Sequence, residues 1–256
     1  MEAVIKENYE EASKLAALMI AEVIAKKPNA VLGLATGSTP LGTYKELVRL
    51  YKAKKIDFKY VTTFNLDEYI GLPKSHSQSY YYFMWHNLFK YTNIKKENIH
   101  LPDGMAENIG QFCEYYELMI KKAGGIDIQL LGIGSNGHIA FNEPGSSLGS
   151  RTRIKTLTEK TIADNSRFFR KKEDVPRYAI TMGIGTIMEA KRVILLANGS
   201  NKADAVVNAI EGPITALVPA SILQMHPCAT MIVEKSAAVN LTRKYPSAPL
   251  VYKSKK

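Results

Sequence analysis

IDIQLLGIGSNGHIAFNEPG, residues 126–145, is the stretch on which the reading of this chain turns. Residues 126–133 form a largely apolar run bounded by Gly124-Gly125 and Gly134, the pattern of a buried strand. Residues 134–145 cannot continue it as a regular element. Gly134, Gly137, Pro144 and Gly145 punctuate them, with Asn136, His138, Asn142 and Glu143 between. A buried strand that ends in a glycine-rich loop carrying His and Glu belongs at the carboxyl edge of an open α/β sheet, where such folds put their chemistry. Histidine titrates near neutral pH, and a glutamate can orient it or share its proton.

Gly132, Gly134 and Gly137 also spell GxGxxG. The dinucleotide fingerprint needs a helix starting at its third glycine, with its N-terminus against pyrophosphate. Here Asn142, Glu143, Pro144 and Gly145 follow too soon, so no nucleotide cofactor is expected.

Upstream, residues 8–27 read as an amphipathic helix stopped by Pro28, and residues 31–35 as a short buried strand. Thr36-Gly37-Ser38-Thr39-Pro40 then leads into a helix over about 41–54. A strand, a Gly/Ser/Thr turn and a helix N-terminus converge free N–H groups and hydroxyls on one point, which makes an anion site. The turn lacks the Walker lysine, so a sugar phosphate or similar small ester fits better than a nucleoside triphosphate. An ordinary capped turn is the plainer alternative. Residues 59–66 read as the next strand, ending at Asp67-Glu68-Tyr69. Two adjacent acids there are badly placed for packing, so at least one is expected to be functional. Residues 77–90 form an aromatic-rich helix whose rings read as core.

Downstream, residues 106–122 form a helix that feeds the strand first described. Arg151, Arg153 and Lys155 alternate with smaller residues, as in an extended segment showing its cations on one side. They bind a second anion or face solvent. Residues 161–170 read as a helix, 178–181 and 192–197 as strands, and 150–175 as a mobile cover for the site. Asn198-Gly199-Ser200-Asn201-Lys202, followed by a helix through 208, repeats the anion geometry with a lysine at the helix start. A strand over 229–233, a last helix from about 236 and a loose tail over 246–256 complete the chain.

With 256 residues, 46% of them hydrophobic, no repeat and no low-complexity linker, the chain is expected to be a single domain over 1–256. Strands alternating with helices give the α/β class: a Rossmann-like, mainly parallel sheet with helices on both faces. No apolar run reaches the roughly 18 residues of a membrane span. The N-terminus reads as a helix and not a signal peptide. Cys113 and Cys228 make neither a disulfide framework nor a metal motif. His76, His86, His100 and His226 lack ligand spacing. A cytoplasmic protein without metal is expected. The net charge of +10 is spread over scattered lysines. That favours a solvated surface and a pull on anionic substrates over a nucleic-acid interface.

Taken together, ATGSTPLGTY at 35–44, FNLDEYIGL at 64–72, GIGSNGHIAFNEPGSS at 132–147, SRTRIKTLT at 150–158, NSRFF at 165–169 and GSNKA at 199–203 resemble the glucosamine-6-phosphate isomerase/deaminase family. The resemblance spans residues 30–235. It implies conversion of D-glucosamine 6-phosphate and water to D-fructose 6-phosphate and ammonia, with no cofactor. It implies that Asp67 is the base moving a proton between C2 and C1, that His138 opens the pyranose ring with Glu143, and that Asn136 serves the same step. Many members carry Asp where this chain has Asn136; Asn can orient His138 by hydrogen bonding but brings no charge. Gly37, Ser38, Thr39, Arg167 and Lys202 are the implied phosphate ligands. Some members are hexamers activated by N-acetylglucosamine 6-phosphate at a segment matched here by Ser146, Arg153 and Lys155, so the resemblance also allows a homo-oligomer with an allosteric site. The nearest rival is a 6-phosphogluconolactonase, which shares fold and phosphate binding but needs no proton shuttle. A sugar-phosphate sensor without turnover is a rival from another class, and such a sensor would normally carry a DNA-binding module.

Overall fold

The computed structural model describes residues 1–166, 169 and 171–249. In chain order its elements are β1 (Glu2–Lys6), α1 (Tyr9–Lys26), β2 (Val31–Leu34), α2 (Leu41–Lys52), β3 (Thr62–Asn65), β4 (Asp67–Tyr69), α3 (Tyr80–Asn87), β5 (Ile99–His100), α4 (Ile109–Lys122), β6 (Ile128–Leu131), β7 (Arg153–Thr156), α5 (Glu159–Ser166), β8 (Tyr178–Thr181), α6 (Ile184–Met188), β9 (Val193–Ala197), α7 (Ala203–Ile210) and β10 (Ala229–Glu234). Seven strands form a parallel sheet in the order β1-β10-β9-β6-β2-β3-β5. The other three form a small antiparallel sheet in the order β4-β8-β7.

The central strands are apolar at nearly every position because helices cover both faces. Leu32, Leu34, Ile128, Leu130, Ile194 and Leu196 pack with Ala16 and Ile20 of α1 and Tyr44 and Leu47 of α2. Their alternates Val31, Leu131, Val193 and Leu195 pack with Tyr116 and Ile120 of α4 and with residues of α6 and α7. The small apolar face of α1 lets α2 come close: a methyl group on Gly42 would fall 2.4 Å from Ser13 Oγ.

The order of the strands fixes where a ligand can enter. From β2 the chain steps outward to β3 and β5, and α4 then carries it back to β6 on the opposite side of β2. The loops leaving β2 and β6 therefore diverge, and the crevice between them is the topological switch point.

Three expectations are corrected. Residues 2–6, read with the N-terminus as helix, are an edge strand beside β10, and the helix starts only at Tyr9. The last helix is one 3-10 turn, Lys235–Ala237; beyond it Glu211 holds the chain by accepting from the N–H groups of Thr242 and Arg243 and from the Tyr245 hydroxyl. The tail is not loose from residue 246, because the carbonyls of Pro246 and Ser247 accept from Ile5 N and Lys6 Nζ on the edge strand.

Candidate active site

The loop after β6 folds back on itself. Gly134 N–H donates to the His138 carbonyl at 2.9 Å and Gly137 N–H to the Gly134 carbonyl at 3.0 Å, with Gly137 at a φ of 84°. No helix follows, so the GxGxxG pattern lacks its dinucleotide context. His138 lies directly over Gly134: a methyl group there would fall 2.2 Å from His138 Cε1 and Nδ1. That close approach is the reason for glycine at this position.

Behind His138 the polar groups interlock. Asn136 Nδ2 donates to Glu143 Oε2 at 2.8 Å, and Asn136 Oδ1 lies 2.7 Å from His138 Nδ1. With its amide nitrogen committed to a carboxylate, Asn136 presents only its oxygen, so His138 Nδ1 is the donor and Nε2 keeps the lone pair. His138 Nδ1 is also 3.6 Å from Glu143 Oε2. Glu143 Oε1 accepts from the Thr161 hydroxyl at the start of α5. Burial works to raise the Glu143 carboxyl, but His138, Thr161 and Asn136 outweigh it and hold the group at about 2.

Asp67 arrives from the other side. β3 ends at Asn65, Leu66 N–H still bonds the Leu34 carbonyl at 3.1 Å, and the next residue opens β4, paired with Thr181 of β8. Asp67 thus marks the point where the chain leaves the large sheet for the small one. The end of β8 also holds the loop after β6: Thr181 Oγ1 accepts from Phe141 N–H at 3.1 Å, and the carbonyl of Met182, the next residue, accepts from Asn142 Nδ2 at 2.9 Å. Burial, then repulsion by Glu68, pushes Asp67 up to about 8. Glu68 has a different duty. It accepts from the N–H groups of Tyr69, Tyr80 and Tyr81 at 2.9–3.0 Å, satisfying the start of α3. Of the two adjacent acids, only Asp67 reaches the cavity.

One cavity of about 290 Å³ brings these groups together, near the lower end of the size range for small-ligand sites. Asp67 and His138 line it with Gly37, Ser38, Thr39 and Lys202. Among the described residues, the N–H groups of Gly37, Ser38 and Thr39 have no hydrogen-bond acceptor, and they sit at the positive end of α2. Gly37 has a φ of 97°, a conformation that suits glycine. Asn136 and Glu143 stand behind the wall, and Arg167 lies outside the described residues.

The remaining expected residues lie elsewhere. Ser146 is buried with its hydroxyl unpartnered, while Arg153 and Lys155 sit half-buried on β7; none of the three lines this cavity. Arg151 does not join them, being paired with Glu117 at 2.7 Å and Glu189 at 2.5 Å. Tyr80, read as core, forms part of the cavity wall, as do Thr161 and Asn201. Tyr9 is a further contributor: its hydroxyl accepts from Gly42 N–H at 2.7 Å and donates to the Thr39 carbonyl at 2.9 Å, pinning the Gly37–Thr39 turn from α1. No sequence pattern pointed to it. Among the described residues no group of three or more His, Cys, Asp or Glu is placed to hold a metal ion, and no helix is long and apolar enough to cross a membrane.

Known proteins match this arrangement over nearly the whole chain. A glucosamine-6-phosphate deaminase of Thermoanaerobacter pseudethanolicus is 58% identical over 238 residues, 93% of this chain and 94% of that one. The structure of a monomeric glucosamine-6-phosphate deaminase superposes with a TM-score of 0.92 at 44% identity, covering 94% of this chain and all of its own. A 6-phosphogluconolactonase from Trypanosoma cruzi has a TM-score of 0.74 at 23% identity, over 94% of this chain and 97% of its own, a likeness of fold alone. The family model described as glucosamine-6-phosphate isomerases/6-phosphogluconolactonase matches residues 5–232, and the chain belongs to that family.

Proposed function

We propose that the protein converts D-glucosamine 6-phosphate and water to D-fructose 6-phosphate and ammonia, a step of amino-sugar breakdown. The observation that carries this reading is the shared cavity: a buried carboxylate and an imidazole with a free Nε2 face one space whose far end is an anion cradle. The phosphate binds the turn at Gly37, Ser38 and Thr39 with Lys202, and Arg167 is its further ligand. Fixing that end lets binding energy orient C1 and C2.

His138 Nε2 takes the proton of the anomeric hydroxyl and passes it to the ring oxygen as the C1–O5 bond breaks, which opens the pyranose. Asn136 and Glu143 hold the imidazole for this step. Asp67 then removes the proton at C2 and delivers one to C1, giving the ketose imine, and water releases ammonia. A carboxylate raised to about 8 is a stronger base than an ordinary one, and one group can serve two adjacent carbons.

The lactonase alternative hydrolyses an ester and has no use for a base that reaches C2. The test is to incubate the pure protein with glucosamine 6-phosphate and measure ammonia and fructose 6-phosphate together. Equal release of both is expected. Hydrolysis of 6-phosphogluconolactone alone, or binding with neither product, contradicts the proposal.

A further inference from the structure

Glu143 belongs to the loop after β6, yet one of its two oxygens is held from α5. Oε2 takes the Asn136 amide and faces His138. Oε1 takes the Thr161 hydroxyl. Thr158, which precedes the helix, accepts Thr161 N–H at 3.2 Å, and its own Oγ1 lies 3.1 Å from Thr161 Oγ1 and 3.5 Å from Glu143 Oε1.

A threonine in the first turn of a helix commonly turns its hydroxyl to solvent or to a neighbouring backbone group. Thr161 does neither: it is 5% exposed, Glu143 is 4% exposed, and the hydroxyl is spent on the carboxylate. A buried carboxylate needs a donor on each oxygen to keep its charge and its orientation. Removing the Thr161 donor leaves Oε1 with the longer Thr158 contact alone and frees the carboxylate to turn away from His138.

We propose that Thr161 is a positioning residue for ring opening: through Glu143 it fixes the imidazole of His138, with Thr158 fixing Thr161 in turn. This rests on the reading of His138 as the ring-opening group. The role is confined to that step, so it differs from general support of the fold. A substrate analogue that is already linear does not depend on it.

The experiment compares Thr161→Val, nearly isosteric but without a donor, with Thr161→Ser, which keeps one. In Thr161→Val, kcat for glucosamine 6-phosphate is expected to fall roughly tenfold or more, from misplacement of the imidazole. KM and inhibition by the linear 2-amino-2-deoxyglucitol 6-phosphate stay within about twofold, because the phosphate cradle is untouched. Thr161→Ser restores the rate. If Thr161→Val does not fold, Thr161→Ala, which only removes atoms, carries the same expectation. A donor-free variant with the wild-type kcat overturns the proposal, and so does one that loses analogue binding in step with rate. A readout apart from turnover is the ¹³C titration of the Glu143 carboxyl, expected to move upward in Thr161→Val. An unmoved titration overturns the proposal. A wild-type protein that releases no ammonia instead overturns the deaminase reading, and leaves the titration to decide the Thr161–Glu143 link.

Discussion

Asn136 Nδ2 donates to Glu143 Oε2 at 2.8 Å, a contact that an aspartate at the same position could not make in its ionised form. Here the amide bridges two unlike partners, accepting from an imidazole and donating to a carboxylate. Asn136→Asp would set two carboxylates at hydrogen-bond distance, and like charges so close cannot both ionise freely. Glu143, at about 2 in the present protein, is expected to titrate higher by roughly one unit or more in Asn136→Asp. Carboxyl ¹³C titration reads this directly. An unchanged Glu143 would contradict the bridging role.

Gly134 supplies the floor on which His138 lies. In Gly134→Ala the new methyl group would fall 2.2 Å from the ring, so the imidazole has to move. The backbone at this position has no positive φ, and the fold itself is expected to survive with an unchanged circular-dichroism spectrum. A displacement of about 1 Å costs on the order of a hundredfold in kcat. Phosphate binding, measured by competition with inorganic phosphate, stays near wild type. A fully active Gly134→Ala protein would mean that the ring is free to sit elsewhere.

Tyr9 braces the Gly37–Thr39 turn of the cavity wall. Removing its hydroxyl leaves Gly42 N–H without an acceptor and the Thr39 carbonyl without that donor. A net loss of about 1 kcal/mol corresponds to roughly a fivefold rise in KM for Tyr9→Phe, with kcat nearly constant. A drop in kcat at constant KM would contradict the assignment of Tyr9 to the phosphate turn.

What could be read from the residues alone was local. The strand over 128–131 and the loop behind it declare themselves within twenty residues, because burial, glycine spacing and polar residues all fall in one stretch. The turn at Gly37–Thr39 is legible for the same reason. What was not legible depends on partners far away in the chain. The β1 edge strand exists because Glu2–Lys6 pairs with Thr230–Glu234. Asp67 and Glu68 are chemically alike, and only the amides of Tyr80 and Tyr81 show which acid is structural. Tyr9 meets Gly42 and Thr161 meets Glu143 across elements whose packing no periodicity predicts. Arg151 carries the same charge as Arg153 and Lys155, but the positions of Glu117 and Glu189 draw it away.

Asp67 links stability to pH. Its carboxyl is raised from an ordinary 3.8 to about 8 by burial and then by Glu68. Between those values the folded chain keeps a proton that the unfolded chain has released. Its contribution to stability is therefore complete below about pH 4 and lost as pH rises through about 8. Asp67→Asn, which never ionises, is expected to be more stable than wild type at pH 8 by on the order of a few kcal/mol, and so to melt at a higher temperature. The gap should close at pH 4. An equal or lower melting temperature at pH 8 would mean that Asp67 is not strained by burial. In the wild type, kcat/KM should rise with pH toward about 8 as the base form appears in the free enzyme.

The most direct test is turnover by Asp67→Asn measured beside binding. With glucosamine 6-phosphate the variant is expected to release ammonia at least about a thousandfold more slowly than wild type, a loss typical of removing a general base, while still binding the substrate at similar concentration. A variant that releases ammonia and fructose 6-phosphate at nearly the wild-type rate would show that some group other than Asp67 moves the proton at C2.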